Sequence, residues 1–219
     1  MEYEKGKNGN KSLTIAVPNK GRLKEPVWKM FEAAGIKRVG DERVYLSETS
    51  DSGIQVLSVR ATDIPVYVYY GIADLGITGR DIIAETGLEL YELVDLGFGA
   101  CDLVVAVKKE CKYNAPSDMP HGSKIATEFT NITKRFFNEL GLQVEIITLR
   151  GALEIAPKLG LAEAIVDLSS TGATLEKNGL KPIANVLSSS ARLICNKIAY
   201  KTKYDNVDRL IKRLRSGQA

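Results

Sequence analysis

Two stretches of the chain repeat one another. Gln55-Val-Leu-Ser-Val-Arg60-Ala61 resembles Glu145-Ile-Ile-Thr-Leu-Arg150-Gly151, and Gly71-Ile-Ala-Asp-Leu-Gly-Ile77 resembles Gly160-Leu-Ala-Glu-Ala-Ile-Val166. Each copy then reaches a Thr-Gly, Thr78-Gly79 in the first and Thr171-Gly172 in the second. Shared order, spacing and glycine positions mark an internal duplication. A duplicated chain must fold as two similar supersecondary units, and that restricts its architecture more than any compositional figure.

Apolar periodicity shows what is duplicated. Leu13–Val17 is a short apolar run closed by Pro18, a buried strand. Leu23, Val27, Met30, Phe31 and Ala34 recur at helical spacing and Gly35 ends the helix. Pro26 falls near its first turn, where a missing N–H costs little. Ile54–Val59 is the next strand. Asp63 is expected to cap a short helix carrying Pro65 in its first turn. Asp74–Ile77 returns as a strand, and Thr78-Gly79 turns into a helix over Asp81–Glu85. The second half follows the same order. Lys124–Thr127 is a strand, Thr130 or Asn131 caps a helix through Leu140, and Gly141 stops it. Val144–Leu149 is a strand, Leu153–Leu159 a short helix and Ala164–Leu168 a strand. Leu103–Val107 and Leu193–Ile194 read as strands near the lobe crossings, and Val207–Leu214 as an amphipathic, basic helix. Strands alternating with helices predict an α/β fold with parallel pairing and right-handed crossovers. The expected division is a disordered lead-in over 1–11, lobe one over 12–100 with 188–219, and lobe two over 101–187. Two such lobes direct their strand C-termini toward a shared cleft, where open α/β sheets bind ligands.

Composition excludes several classes. The 219 residues are 44% hydrophobic and 26% charged, an ordinary soluble globular mixture. A net charge of +3 is too small to argue for a nucleic-acid partner, and it suits a site that meets polyphosphates. Cys101, Cys111 and Cys195 form no CxxC pair, so they read as free thiols in a reducing compartment rather than a disulfide framework or a zinc site. The first eleven residues are polar, without the apolar core of a signal peptide. No run is long enough to span a bilayer, so a cytoplasmic protein without a membrane partner is expected.

The chemistry concentrates at the end of one strand. In Ala164-Ile-Val-Asp167-Leu-Ser169-Ser170-Thr171-Gly172-Ala173-Thr174-Leu175 an apolar run ends in an acid, then a small, hydroxyl-rich loop leads toward a helix. Such a loop offers N–H groups and hydroxyls to an anion, most commonly phosphate. The same small residues also serve as ordinary caps. Asp167 is placed to reach the hydroxyls of a ribose whose 5′-phosphate sits in the loop. Glu154, at the start of a short helix, borders the same loop. In the first lobe, Lys20, Gly21 and Arg22 follow a strand end, and a guanidinium fork there suits a polyphosphate. Arg60 and Asp63 end another strand at the same rim. His121 is the single histidine and sits in a polar loop, a surface position. There is no nucleophile elbow, P-loop or dinucleotide fingerprint, and no Ser/His/Asp or Cys/His set for an acyl-enzyme.

These residues resemble a known family. Glu154, Gly160, Ala162, Ile165, Asp167, Leu168, Thr171, Gly172, Thr174 and Leu175 are similar to the signature of ATP phosphoribosyltransferases. So are Leu13-Thr-Ile-Ala-Val-Pro-Asn-Lys-Gly-Arg-Leu23, Arg60-Ala-Thr-Asp-Ile-Pro65, Tyr70-Gly-Ile-Ala-Asp-Leu-Gly-Ile77 and Leu96-Gly-Phe-Gly-Ala-Cys-Asp-Leu103. The likeness runs from about Leu13 to Lys197. It departs at Ala61, where the family often has proline, and at Arg150-Gly-Ala, where Ser-Gly-Ser is frequent. The resemblance implies a two-lobed, periplasmic-binding-protein-like (type II) fold with a central cleft. It implies Mg²⁺-dependent attack of N1 of ATP on C1 of phosphoribosyl pyrophosphate, the first step of histidine biosynthesis, with lobe closure excluding water. Ser169, Ser170, Thr171, Gly172, Ala173 and Thr174 would hold phosphoribosyl pyrophosphate. Asp167 and Glu154 would be catalytic, and Lys20, Gly21, Arg22, Arg60 and Asp63 would meet ATP or pyrophosphate. No residue is assigned to the metal. The resemblance is to the short, catalytic-only form, a homodimer core that assembles with a regulatory subunit similar to histidyl-tRNA synthetase. The competing expectation is a small-anion or nucleotide binding module of the same fold without catalysis.

Overall fold

The computed structural model describes residues 12–41 and 43–216, and the expected lead-in over 1–11 lies outside them. In chain order the elements are β1 (Leu13–Pro18), α1 (Lys24–Ala33), β2 (Leu46–Glu48), β3 (Ile54–Val59), α2 (Ile64–Tyr69), β4 (Leu75–Gly79), α3 (Arg80–Thr86), β5 (Tyr91–Asp95) and β6 (Cys101–Lys108). Then follow β7 (Ser123–Thr127), α4 (Thr130–Glu139), β8 (Val144–Thr148), β9 (Ala164–Ser169), α5 (Ala173–Lys177), β10 (Leu180–Ser189), β11 (Ala191–Cys195), α6 (Lys197–Thr202) and α7 (Tyr204–Ser216). The described residues divide into two units. Unit 1 holds those up to Ile83, Leu88–Gly99 and those from Ser190 onward, and unit 2 holds Ala84–Gly87 and Ala100–Ser189.

The duplication is visible in the sheets. Unit 1 runs β2-β3-β1-β4-β11-β5 and unit 2 runs β10-β6-β9-β7-β8. Taken from its other edge, unit 2 is β8-β7-β9-β6-β10, the same path as β3-β1-β4-β11-β5. In both, the first three strands are parallel and the fourth is antiparallel to the third. Register matches to the residue: Ile15 lies opposite Leu75, and Ile125 opposite Ala164. Even one hydrogen bond is repeated. The Thr14 N–H donates to Asp74 Oδ2 at 2.8 Å, and the Lys124 N–H to Glu163 Oε2 at 2.5 Å.

The central strands of each sheet bury both faces, as covered α/β sheets do, whereas β5, β8 and β10 stay partly exposed. In unit 1, Leu13, Ile15 and Val17 pack with Val27, Met30 and Phe31 of α1, whereas Ala16 faces Ile64 and Val68 of α2. The α2 backbone approaches closely because Gly76 has no side chain: a Cβ there would come within 2.5 Å of Ile64 Cγ2. The corresponding position in unit 2 is Ile165, buried with Leu153 and Ala156, where a single 3-10 turn (Leu153–Ile155) replaces the helix and leaves room for the larger residue. On the other face of that sheet, Val105, Val107, Ile125 and Val166 pack with Ile132 and Phe137 of α4. The C-terminal α7 returns to unit 1 through Val207, Leu210 and Leu214. Arg213 fixes it, donating to Asp51 at 2.5 Å and to the Ala34 carbonyl at 3.0 Å. No helix among the described residues is long and apolar enough to cross a membrane.

Four expectations need correction. Pairing is mixed rather than parallel throughout, because β2, β5, β6, β10 and β11 all enter antiparallel. The Leu153–Leu159 helix is only the 3-10 turn. Asp63 precedes α2 but makes no side-chain cap. Neither Thr130 nor Asn131 caps α4. That role falls to Glu85, whose carboxylate accepts the Asn131 N–H at 2.9 Å and the Ile132 N–H at 3.0 Å. An acid at a helix N-terminus satisfies orphan donors and the dipole together.

Candidate functional site

In unit 2, β9 carries Asp167 to the edge of its core and the chain then turns through Ser169–Gly172 into α5. Gly172 makes this turn with φ +76°, a left-handed value open to glycine. The Gly172 N–H donates to Ser169 Oγ at 3.1 Å and the Ala173 N–H to Thr171 Oγ1 at 3.4 Å. Two loop amides are thus taken by the loop's own oxygens, which leaves the hydroxyl protons to donate outward. Ser170, Thr171 and Thr174 are exposed.

Asp167 is partly buried and accepts the Leu168 N–H at 2.7 Å. Burial nevertheless pushes its carboxyl up to about 6, and the negative charges of Glu154 and Glu128 push the same way. Glu154 lies on the 3-10 turn packed against β9. Two residues before it, Ala152 adopts φ +50°, the one non-glycine in the left-handed region among the described residues. Such a conformer costs about 1 kcal/mol or more and concentrates at functional turns. It falls in the Arg150-Gly-Ala segment where the sequence departs from the family pattern. Glu128 follows β7 and was not singled out by sequence reasoning. Its signal is the duplication itself, since by register it matches Pro18, the residue that ends β1 just before the segment where Lys20 and Arg22 drew attention.

In unit 1, β1 hands over to Asn19, Lys20, Gly21 and Arg22. Gly21 has φ +84°, and its carbonyl accepts the Lys24 N–H at 3.2 Å. Lys20 is exposed. Arg22 is partly engaged: its guanidinium donates to the Gly99 carbonyl at 2.9 Å and stands 3.6 Å from Asp81, a carboxylate only 1% exposed. Arg60 and Asp63 line a cavity of about 440 Å³ with Asn19, Tyr45, Leu57, Val59 and Tyr67. The Asn19 side-chain oxygen is buried there without a hydrogen-bond partner. Sequence reasoning found the charged half of this pocket and missed its aromatic and aliphatic walls, because Tyr45 precedes a three-residue strand with no periodic signal. His121 stays in its loop, accepting the Gln143 N–H at 3.3 Å.

The geometry can now be set beside known proteins. The sequence model of the HisG family, ATP phosphoribosyltransferase, matches residues 60–216. A protein of Methanosarcina acetivorans named ATP phosphoribosyltransferase is 46% identical over 193 residues, covering 87% of this chain and 66% of that relative. The chain therefore spans just under two thirds of that relative's length. A protein of the same name from Halothermothrix orenii is 42% identical, covering 93% of each chain. Among solved structures, a chain of the ATP phosphoribosyl transferase (HisG:HisZ) complex from Thermotoga maritima superposes with a TM-score of 0.83 at 31% identity, covering 94% of this chain and 98% of that one. The periplasmic aliphatic sulphonate binding protein SsuA of Escherichia coli, at 13% identity and a TM-score of 0.61 over 94% of this chain and 68% of its own, shares the fold alone. The fold is thus α/β of the type II periplasmic-binding-protein kind, and the chain belongs to the ATP phosphoribosyltransferase (HisG) family.

Proposed function

We propose that this chain is the catalytic subunit of a cytoplasmic ATP phosphoribosyltransferase of the short form. It joins ATP to phosphoribosyl pyrophosphate and releases pyrophosphate, opening histidine biosynthesis. The observation that carries this reading is Asp167, a half-buried carboxylate under pressure from Glu154 and Glu128, at the mouth of a Ser/Thr loop. As the C1–O bond breaks, pyrophosphate leaves with the bonding pair and the ribose gains oxocarbenium character. The N1 lone pair of ATP then closes the new bond. No protein nucleophile is needed, so catalysis rests on positioning and on charge. A crowded carboxylate that is costly in the empty site is relieved by positive charge developing beside it. The loop from Ser169 to Thr174 receives the 5′-phosphate, and Asp167 and Glu154 orient the ribose hydroxyls.

ATP belongs in this reading to unit 1, where the pocket of Arg60, Asp63 and two tyrosines joins polar contacts to flat apolar walls, and where Lys20 and Arg22 offer cationic groups. Among the described residues no group of three or more His, Cys, Asp or Glu side chains is arranged to hold a metal ion. Mg²⁺ enters the proposal as the counter-ion of the substrates' phosphate oxygens, its preferred hard ligands. The assembly we infer is a homodimer core joined to a histidyl-tRNA-synthetase-like subunit. Support for the regulatory subunit comes from the HisG:HisZ complex of Thermotoga maritima, one chain of which this chain resembles. A binding module without catalysis would give a complex but no product. Incubating the chain with ATP, phosphoribosyl pyrophosphate and Mg²⁺, then assaying for phosphoribosyl-ATP and pyrophosphate, tests the reading. No product, with or without the regulatory subunit, refutes it.

A further inference from the structure

Arg22 is held from two sides, and each hold depends on a glycine. Its guanidinium donates to the Gly99 carbonyl at 2.9 Å. Gly99 turns there with φ +64°, and a Cβ at that position would collide with the side chain of Leu23, the buried neighbour of Arg22. On the other side Nη2 stands 3.6 Å from Asp81 Oδ1, an ion-pair distance rather than a hydrogen bond. Asp81 lies in the first turn of α3, and its carboxylate rests against Gly79, the last residue of β4. A Cβ at Gly79 would collide with Asp81 Oδ1, so a side chain there would displace the acid. Asp81 is 1% exposed, whereas the Arg22 side chain keeps 36% of its surface in solvent. A guanidinium carries five N–H donors, more than these two contacts use.

The duplication sets this arrangement apart. By the register of β1 with β4 and of β7 with β9, Asp81 stands where unit 2 has Ser170 of the hydroxyl loop. Unit 2 leaves hydroxyls open to an anion at that position, and unit 1 fills it with a carboxylate of its own. A buried acid repels phosphate and attracts a cation. Such a pair adds little stability, because desolvating the carboxylate costs about as much as pairing returns. What it supplies is orientation: a rigid fork held in two directions, with donors left over for a ligand.

We propose that Asp81 is a positioning residue of the reaction: its buried carboxylate, together with the Gly99 carbonyl, fixes the Arg22 guanidinium so that the remaining donors meet the departing pyrophosphate. The inference rests on the reaction proposed above and names the group that aims one of its cations. Asp81 acts through Arg22 and touches neither substrate. A fork already oriented needs no reorganisation as negative charge gathers on the leaving group. The effect therefore falls on turnover rather than on substrate affinity.

Steady-state kinetics of the full chain in a double-substitution cycle tests this. Asp81→Asn keeps the shape and removes the charge, so kcat should fall about 10–100-fold. Both KM values should stay within about threefold of the parent. Arg22→Ala should lose at least as much turnover. The double variant should match Arg22→Ala within about twofold, because Asp81 then has nothing to aim, whereas a merely structural role would multiply the two losses. Arg22→Lys gives an answer that does not depend on Asp81→Asn folding. An ammonium keeps the charge but cannot bridge Gly99 and Asp81, and kcat should fall about tenfold or more. Losses that multiply in the double variant, or an Arg22→Lys chain that turns over like the parent, overturn the role of Asp81 and leave the reaction standing. No phosphoribosyl-ATP from the unsubstituted chain, with or without the regulatory subunit, overturns the reaction and this role together.

Discussion

Asp167→Asn should make the protein more stable and less active, and the stability gain should depend on pH in a defined direction. The Asp167 carboxyl is pushed from 3.8 to about 6 in the folded chain, mainly by burial and then by Glu154 and Glu128. The folded state therefore holds its proton to higher pH than the unfolded state does. The stability this contributes is fully present below the unfolded value and is lost as pH rises through about 6. A shift of that size corresponds to about 3 kcal/mol for a fully buried group. Asp167 is only partly buried, so solvent screening reduces the figure to about 1–2 kcal/mol. Asparagine keeps the oxygen that accepts the Leu168 N–H and removes the charge. At pH 7.5 the variant should melt roughly 2–8 °C above the parent, given about 2–4 °C per kcal/mol for a chain of this size. Near pH 4 the two should melt together. Turnover should fall on the order of 10²-fold, the usual loss for a positioned transition-state charge. Thermal melts of both proteins across pH, with turnover measured on the same preparations, check this. A variant no more stable at pH 7.5 than at pH 4, relative to its parent, would refute the argument that charge crowding at Asp167 is held in reserve for the substrate.

Other outcomes follow from the same geometry. Thr171→Val, which removes a loop hydroxyl and keeps the shape, should raise the KM for phosphoribosyl pyrophosphate far more than that for ATP, and equal effects would count against the phosphate loop. Glu85→Ala should cost about 2 kcal/mol by uncapping α4; urea midpoints and faster amide exchange at Asn131 and Ile132 report it, and an unchanged midpoint rejects the cap. Burial and the nearby Asp74 push the Cys195 thiol up to about 12. Cys111, half-buried where Cys101 and Cys195 are buried, should accordingly be the first to react with a thiol reagent in the native protein, and prompt labelling of Cys195 would contradict the structure. The purified chain should be weakly active and insensitive to histidine, gaining both activity and inhibition with the regulatory subunit, so strong histidine inhibition of the chain alone would overturn that assembly.

The repeat in the sequence was enough to determine the α/β class and the presence of two similar units, and a cluster of small hydroxyl residues marked the Asp167 loop; the strand orders β3-β1-β4 and β8-β7-β9 emerge only in the fold. The class, the repeat and the loop rest on local signals: apolar runs of strand length, turn glycines and a cluster of hydroxyls that short-range chemistry makes legible. What the sequence left undetermined is non-local. The cap of α4 comes from Glu85, far away in the chain, so Thr130 and Asn131 drew the assignment that propensity favours. The antiparallel β10, half-exposed and irregular at Pro182–Ala184 and Asn185–Leu187, has no clean alternation to read. Arg22 looks like a free cation until folding sets Asp81 beside it, and Tyr45 looks like a loop residue until β3 and α2 form the other walls of its pocket. The upward pressure on the Asp167 carboxyl likewise comes first from its burial in the fold and then from Glu154 and Glu128, which arrive from other segments. Charge and burial act through space, and only the tertiary structure brings those groups together.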